Sequence, residues 1–145
     1  MLDQLDDIPW ARLRCLGGTA GHVPEAVRGL LSADPVTVDG SYWRLENHVV
    51  AQGTLYEAGT YLPPVLLAAL DLAVYPGRVL ELLFQIGHGV AADPEATRAC
   101  HTQVVAGLEL WLRNSAEADP ALRAAVEEDL RELTEGHSVG PGGSA

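Results

Sequence analysis

Three times in this chain an aspartate stands directly before a proline in the same setting: Ala33-Asp34-Pro35, Ala92-Asp93-Pro94 and Ala118-Asp119-Pro120. Each follows a polar or turn-like stretch. An aspartate at the N-cap accepts hydrogen bonds from the orphan N–H groups of a new helix. A proline at the first helical position loses nothing, because its missing donor would be unpaired there in any case. The three markers therefore read as helix starts, and they limit the chain to a fold made of helices of restricted length.

The residues after the markers have helical spacing. Leu122, Val126, Leu130 and Leu133 recur at steps of four, four and three, with Arg123, Glu127, Glu128, Arg131 and Glu132 on other faces. Residues 95–113 place Val104, Val105, Leu108, Trp111 and Leu112 on one stripe, which predicts a helix buried along that side. In the middle of the chain, Val65 to Leu70 and Val79 to Phe84 are leucine- and alanine-rich runs on either side of Tyr75-Pro76-Gly77. They read as two helices joined by a turn. Shorter helices are expected over residues 9–16, 24–32 and 35–51, the last weakened by Asp39-Gly40.

The fold class that follows is all-α: about seven helices joined by short links, forming stacked antiparallel helix pairs. Either a short α-solenoid or a compact helical bundle satisfies the pattern. The chain's 145 residues suit one domain, assigned to residues 1–135. Residues 136–145 are rich in glycine and serine and lack an apolar anchor after Val139, so a disordered tail is expected.

Charge narrows the function. Twenty acids oppose nine basic residues, every one an arginine, for a formal charge of −11. Such a field repels phosphate backbones and anionic lipid, which argues against nucleic acid and membrane surfaces and favours a basic protein as partner. The excess is concentrated in residues 117–135. There Glu117, Asp119, Glu127, Glu128, Asp129, Glu132 and Glu135 face only Arg123 and Arg131, a net charge of −5. Because the leucine and valine stripe is turned inward, these acids are expected to face solvent, with Glu128, Glu132 and Glu135 as candidate partner-binding residues. The first residues are acidic and lack a basic start and apolar core, so a cytoplasmic location is expected. Cys15 and Cys100, far apart and without a CxxC partner, read as reduced, partly buried thiols.

Chemical motifs are sparse. His22, His48, His88, His101 and His137 include no pair at the spacing of a helical zinc site, so no metal or other cofactor is expected. No Gly-x-Ser-x-Gly elbow is present. Gly17-Gly18-Thr19-Ala20-Gly21 lacks the preceding buried strand and the lysine of a phosphate loop, and reads as a link between helices.

The segment from His48 through Gln52-Gly53-Thr54-Leu55-Tyr56-Glu57-Ala58 to Gly59, followed by a leucine-rich helix with Pro63 and Pro64, resembles a group of actinobacterial HEAT-like repeat proteins. Those proteins carry a His-Gln-Gly-Thr-x-Tyr-Glu-Ala-Thr stretch before a Pro-containing helix. The likeness runs in outline from Ile8-Pro9-Trp10, through Gly18-Thr19-Ala20 and Val23-Pro24, to Gly89, or about three-fifths of the chain. Here Val49, Val50 and Ala51 separate the histidine from the glutamine, and Gly59 stands where the group has its second threonine. The resemblance implies a helical-repeat scaffold, of which some are immunity or partner proteins for toxins or biosynthetic enzymes.

Two functional readings follow. One is a non-catalytic, protein-binding helical scaffold, an immunity-like or accessory factor that masks a basic partner. The other is a small enzyme or ligand-binding protein of a natural-product pathway with a pocket near His48, Gln52, Tyr56 and Glu57. In the bland alternative, Tyr56 buries its ring, Glu57 caps the next helix, and Gly53 and Gly59 serve turns.

Overall fold

The computed structural model describes the backbone of residues 3–143 and the side chains of residues 4–135. Within it the protein is all-α. Seven α-helices occur among the described residues: α1 (Asp3–Asp7), α2 (Val23–Gly29), α3 (Pro35–Val49), α4 (Pro63–Leu72), α5 (Pro76–His88), α6 (Pro94–Asn114) and α7 (Pro120–Gly143). The side chains of residues 136–145, expected to form a tail, lie outside those described.

All three Asp-Pro markers begin helices as expected. Asp34 accepts from the Val36 N–H at 3.3 Å, Asp93 from that of Glu95 at 3.1 Å and Asp119 from that of Leu122 at 3.2 Å. Each proline is the first residue of its helix. At the other end of α6, Arg123 reaches back from α7 and donates to the carbonyls of Leu112 and Ser115 at 3.0 and 2.6 Å. One carbonyl of the last turn of α6 and that of the residue following the helix are thus met by a cation, the sign that a helix C-terminus favours.

Helix α2 packs on α3, α4 on α5, α5 on α6 and α6 on α7, and alternate helices also touch: α3 with α5, α5 with α7, and α4 with α6. One layer therefore holds α3, α5 and α7, and α4 and α6 lie in the other. Leu45, Leu66, Leu82, Leu83, Ile86, Leu108 and Leu133 are wholly buried between them. The expected stripes are in place: Val104, Leu108 and Trp111 are buried on α6, and Val126 and Leu133 on α7. Both cysteines are free and buried.

The short helix α1 is not among those expected from the sequence, and two further places differ. The helix expected over residues 9–16 is replaced by a single 3-10 turn, Trp10–Arg12, and a short antiparallel hairpin of β1 (Arg14–Cys15) and β2 (Gly18–Thr19). Leu13 and Cys15 are buried while Arg12, Arg14 and Leu16 are exposed, an alternation with the period of a strand. Gly17 and Gly18, at φ 88° and 154°, turn the chain back. The helix expected to reach Ala51 stops at Val49, where a second hairpin begins: β3 (Val50–Ala51) paired with β4 (Thr54–Leu55). Its two-residue turn is Gln52-Gly53, both at positive φ, 50° and 85°, the conformation that matches the twist of a tight hairpin.

Candidate functional site

The residues anticipated around one pocket are divided by the fold. His48, near the end of α3, lines a hollow with Cys15, Thr19, His22 and Arg44. Tyr56 and Glu57 line a different recess, with Thr60, Tyr61 and residues 91–93. Gln52 is the exposed tip of the β3–β4 hairpin and lines neither. The four side chains therefore do not converge. Glu57 has a structural task instead of the helix cap expected of it: its carboxylate accepts the backbone N–H of Arg14 at 2.9 Å, fastening β1 to the 3-10 turn Glu57–Tyr61.

Gly59 is required by close approach. A Cβ built there would lie 2.6 Å from the carbonyl oxygen of Val49 and 2.6 Å from Leu55 Cδ1. A side chain as large as that of threonine has no room at this position.

Of the seven acids in residues 117–135, all but Asp129 are exposed, as expected. Glu128 and Glu135 are both engaged by Arg131, Glu128 by a direct hydrogen bond and Glu135 at 3.9 Å. Arg123 is turned away to the end of α6. Such exposed pairs along one helix contribute little to stability.

A larger concavity than either lies elsewhere, across the layer of α3, α5 and α7. Pro35, Val38 and Asp39 of α3, residues 74–78, 80 and 81 at and before the start of α5, and Asp119, Ala121, Leu122, Ala125 and Asp129 by α7 enclose a groove of about 750 Å³. Its floor is apolar: Val38 and Leu80 are buried, Leu122 is half-buried, and Val74 and Tyr75 stand exposed at the margin. Four carboxylates, Asp39, Glu81, Asp119 and Asp129, line it with one cation, Arg78.

Arg78 is engaged on three sides. It donates from Nε to Asp39 at 3.0 Å and from Nη1 to Glu81 at 3.1 Å, while its guanidinium stacks over the Tyr42 ring at 4.3 Å. Glu81 also accepts from the Tyr42 hydroxyl at 3.3 Å. Asp119 is spent on the helix cap. Asp129 is left facing its own sign: burial, then Glu132, Glu128 and Glu81, push its carboxyl up to about 6. Three helix N-termini meet the groove, each worth about half a positive charge, which is less than the excess of negative charge.

Sequence reasoning singled out the solvent face of α7 and did not single out this groove. Its acids come from three helices separated by long stretches of chain, and only the packing of α3, α5 and α7 brings them together. Among the described residues no three histidine, cysteine or acidic groups are arranged to hold a metal ion, and no helix is long and apolar enough to cross a membrane. Comparison of the chain with protein-family models, with curated proteins and with solved structures finds no match.

Proposed function

We propose that the protein is a non-catalytic helical scaffold that binds a basic amphipathic segment of a partner protein in the groove of α3, α5 and α7. The observation that carries this reading is the combination of an apolar floor with carboxylates in excess of the available cation, and with Asp129 held in a destabilising environment. A segment with leucine-like residues on one face and lysine or arginine on the other would cover Val38, Leu80, Leu122 and Val74 and place positive charge beside Asp129. Glu128, Glu132 and Glu135, on the outer face of the same helix, then extend the attraction and steer encounter.

The layering of α3, α5 and α7 supports the HEAT-like scaffold expected from the His48–Gly59 segment, because stacked helices present an extended surface that needs no catalytic pocket. A role as an immunity-like or accessory factor in the cytoplasm, masking a basic partner and ignoring nucleic acid, fits the same surface. The enzyme reading gains no support from His48, Gln52, Tyr56 and Glu57, which point to separate places.

The test is an equilibrium titration with a fluorescently labelled lysine–leucine peptide patterned as an amphipathic helix, followed by anisotropy. Saturable binding that weakens as salt rises, and that Ala125→Trp abolishes by filling the groove, is the expected result. Equal binding of a peptide with the same composition but no amphipathic pattern would mean that the acidic surface attracts cations without a site.

A further inference from the structure

Helix α3 presents two stripes, and the fold of the single chain covers one of them. Val38, Tyr42, Leu45 and Val49 are buried in the core. On the opposite side Val36 is 77% exposed and Trp43 52% exposed, with exposed Gly40 between them and exposed Asn47 one turn further on. The steps 36, 40, 43 and 47, of four, three and four residues, are those of a coiled-coil seam. Leu45 and Val38 stand opposite that seam, at the positions farthest from a partner helix.

Two details distinguish this stripe from scattered exposure. Gly40 stands in the middle of a 15-residue helix, where glycine is among the least favourable residues. A Cβ there would meet nothing within 4 Å, so, unlike Gly59, it is not demanded by packing within the chain. In a seam it lets a second backbone come close. Trp43 is already held in place: its ring meets that of Tyr42 edge to face at 5.0 Å, and the Arg78 guanidinium lies 5.6 Å from it. A tryptophan positioned before binding loses less entropy in an interface, where tryptophan is a frequent anchor. The charges beside the stripe select the occupant. Asp39 lies on one flank and Arg44 on the other, five residues further on. In two parallel helices joined along a seam, a residue on the first flank meets the residue five positions further on along the facing helix. A second copy therefore brings its Arg44 to Asp39 and its Asp39 to Arg44, both signs matched by one sequence. Arg78 takes Asp39 Oδ1 and Glu25 takes Arg44 Nη2, and each group has a further atom with which to bond.

We propose that the protein forms a parallel two-fold dimer through α3, with Val36, Gly40, Trp43 and Asn47 as the seam and Asp39 paired with Arg44 of the second copy on either side. Asn47 suits such a seam, because in a two-stranded parallel pair an asparagine meets its own counterpart and can bond it. One helix of 15 residues from each copy is a small contact, so the dimer is weak and concentration-dependent. Two chains of formal charge −11 repel each other, and salt screens that repulsion by more than it weakens two exposed ion pairs. The dimer therefore strengthens as salt rises, opposite to a basic peptide in the groove. None of the four seam residues lines the groove.

The test is sedimentation velocity on the full chain, from about 1 μM to about 1 mM and at two salt concentrations. A monomer–dimer equilibrium that moves toward dimer at the higher salt is expected. Gly40→Arg places a long side chain in open space on the single chain and should abolish the dimer, with the fold checked by circular dichroism. Trp43→Ala, which removes a half-exposed ring, should weaken the dimer about tenfold or more and decides the matter if Gly40→Arg does not fold. Orientation is read by oxidative cross-linking, since the native cysteines are buried. Val36→Cys and Asn47→Cys, made separately, each face their own counterpart in a parallel pair, and each should form a disulfide-linked dimer. A chain still monomeric at the top concentration, a dimer that Gly40→Arg or Trp43→Ala leaves unchanged, or cross-links formed only when the two cysteine variants are mixed, as in an antiparallel pair, would overturn the proposal. So would a dimer that Ala125→Trp abolishes, since the second copy would then sit in the groove.

Discussion

Trp111 donates its indole N–H to Asp71 Oδ1 at 2.8 Å, joining α6 to α4 in a contact that lets a 7% exposed tryptophan bury its ring without orphaning its nitrogen. The position of Trp111 on the Val104–Leu108 stripe was legible in the sequence, and the hydrogen bond was not. Trp111→Ala should cost about 3–5 kcal/mol, because a large ring leaves a cavity. Trp111→Phe keeps most of the packing and loses the donor, so it should cost less, about 1 kcal/mol for the hydrogen bond plus the volume lost. Urea denaturation of both variants checks the order; equal losses would show that the ring contributes little.

Gly59 should tolerate no side chain. With the Val49 carbonyl oxygen 2.6 Å from a notional Cβ, Gly59→Ala forces backbone apart and should destabilise by about 1–3 kcal/mol. Gly59→Thr, with a larger branched side chain, should be worse. A thermal melt in which Gly59→Thr matches the unmodified chain would mean that the 3-10 turn Glu57–Tyr61 moves freely relative to β3.

Asp129 predicts a pH dependence of definite sign. Its carboxyl is raised from 3.8 to about 6 by burial and by neighbouring acids, so the folded state holds the proton more tightly than the unfolded chain does. The stability of the protein therefore falls as pH rises through that interval, and the penalty is fully present above about pH 6. Asp129→Asn should raise the melting temperature at pH 7 and give no advantage below about pH 4. The same substitution should weaken binding of the basic peptide. A variant that is more stable yet binds less well is the signature of a charge retained for recognition.

The outer acids should behave differently. Glu128, Glu132 and Glu135 are exposed, and Arg131 already engages the first and last. Reversing all three to lysine should slow association with the basic peptide at low salt, severalfold, with little effect at high salt and little change in stability. Stopped-flow association at two ionic strengths checks this. An unchanged rate at low salt would reduce that face to a solubility feature.

What could be read from sequence divides along physical lines. Asp34, Asp93 and Asp119 announce helix starts because capping is local, and Val104, Leu108 and Trp111 announce a buried face because helical periodicity is local as well. The β1–β2 hairpin was missed although Leu13 and Cys15 alternate with Arg12, Arg14 and Leu16, since four or five residues of alternation are easily outweighed by leucine and arginine content. The site was less legible. The groove unites Asp39, Glu81 and Asp129, whose spacings carry no motif at all.

The most direct test of the groove as binding site is amide chemical-shift mapping of the protein with the basic amphipathic peptide. The largest perturbations are expected at residues 35–39, 74–81 and 119–129, with the Ala125→Trp variant silent at all three. Perturbations confined to Glu128, Glu132 and Glu135, or to the hairpin loop around Gln52, would contradict it.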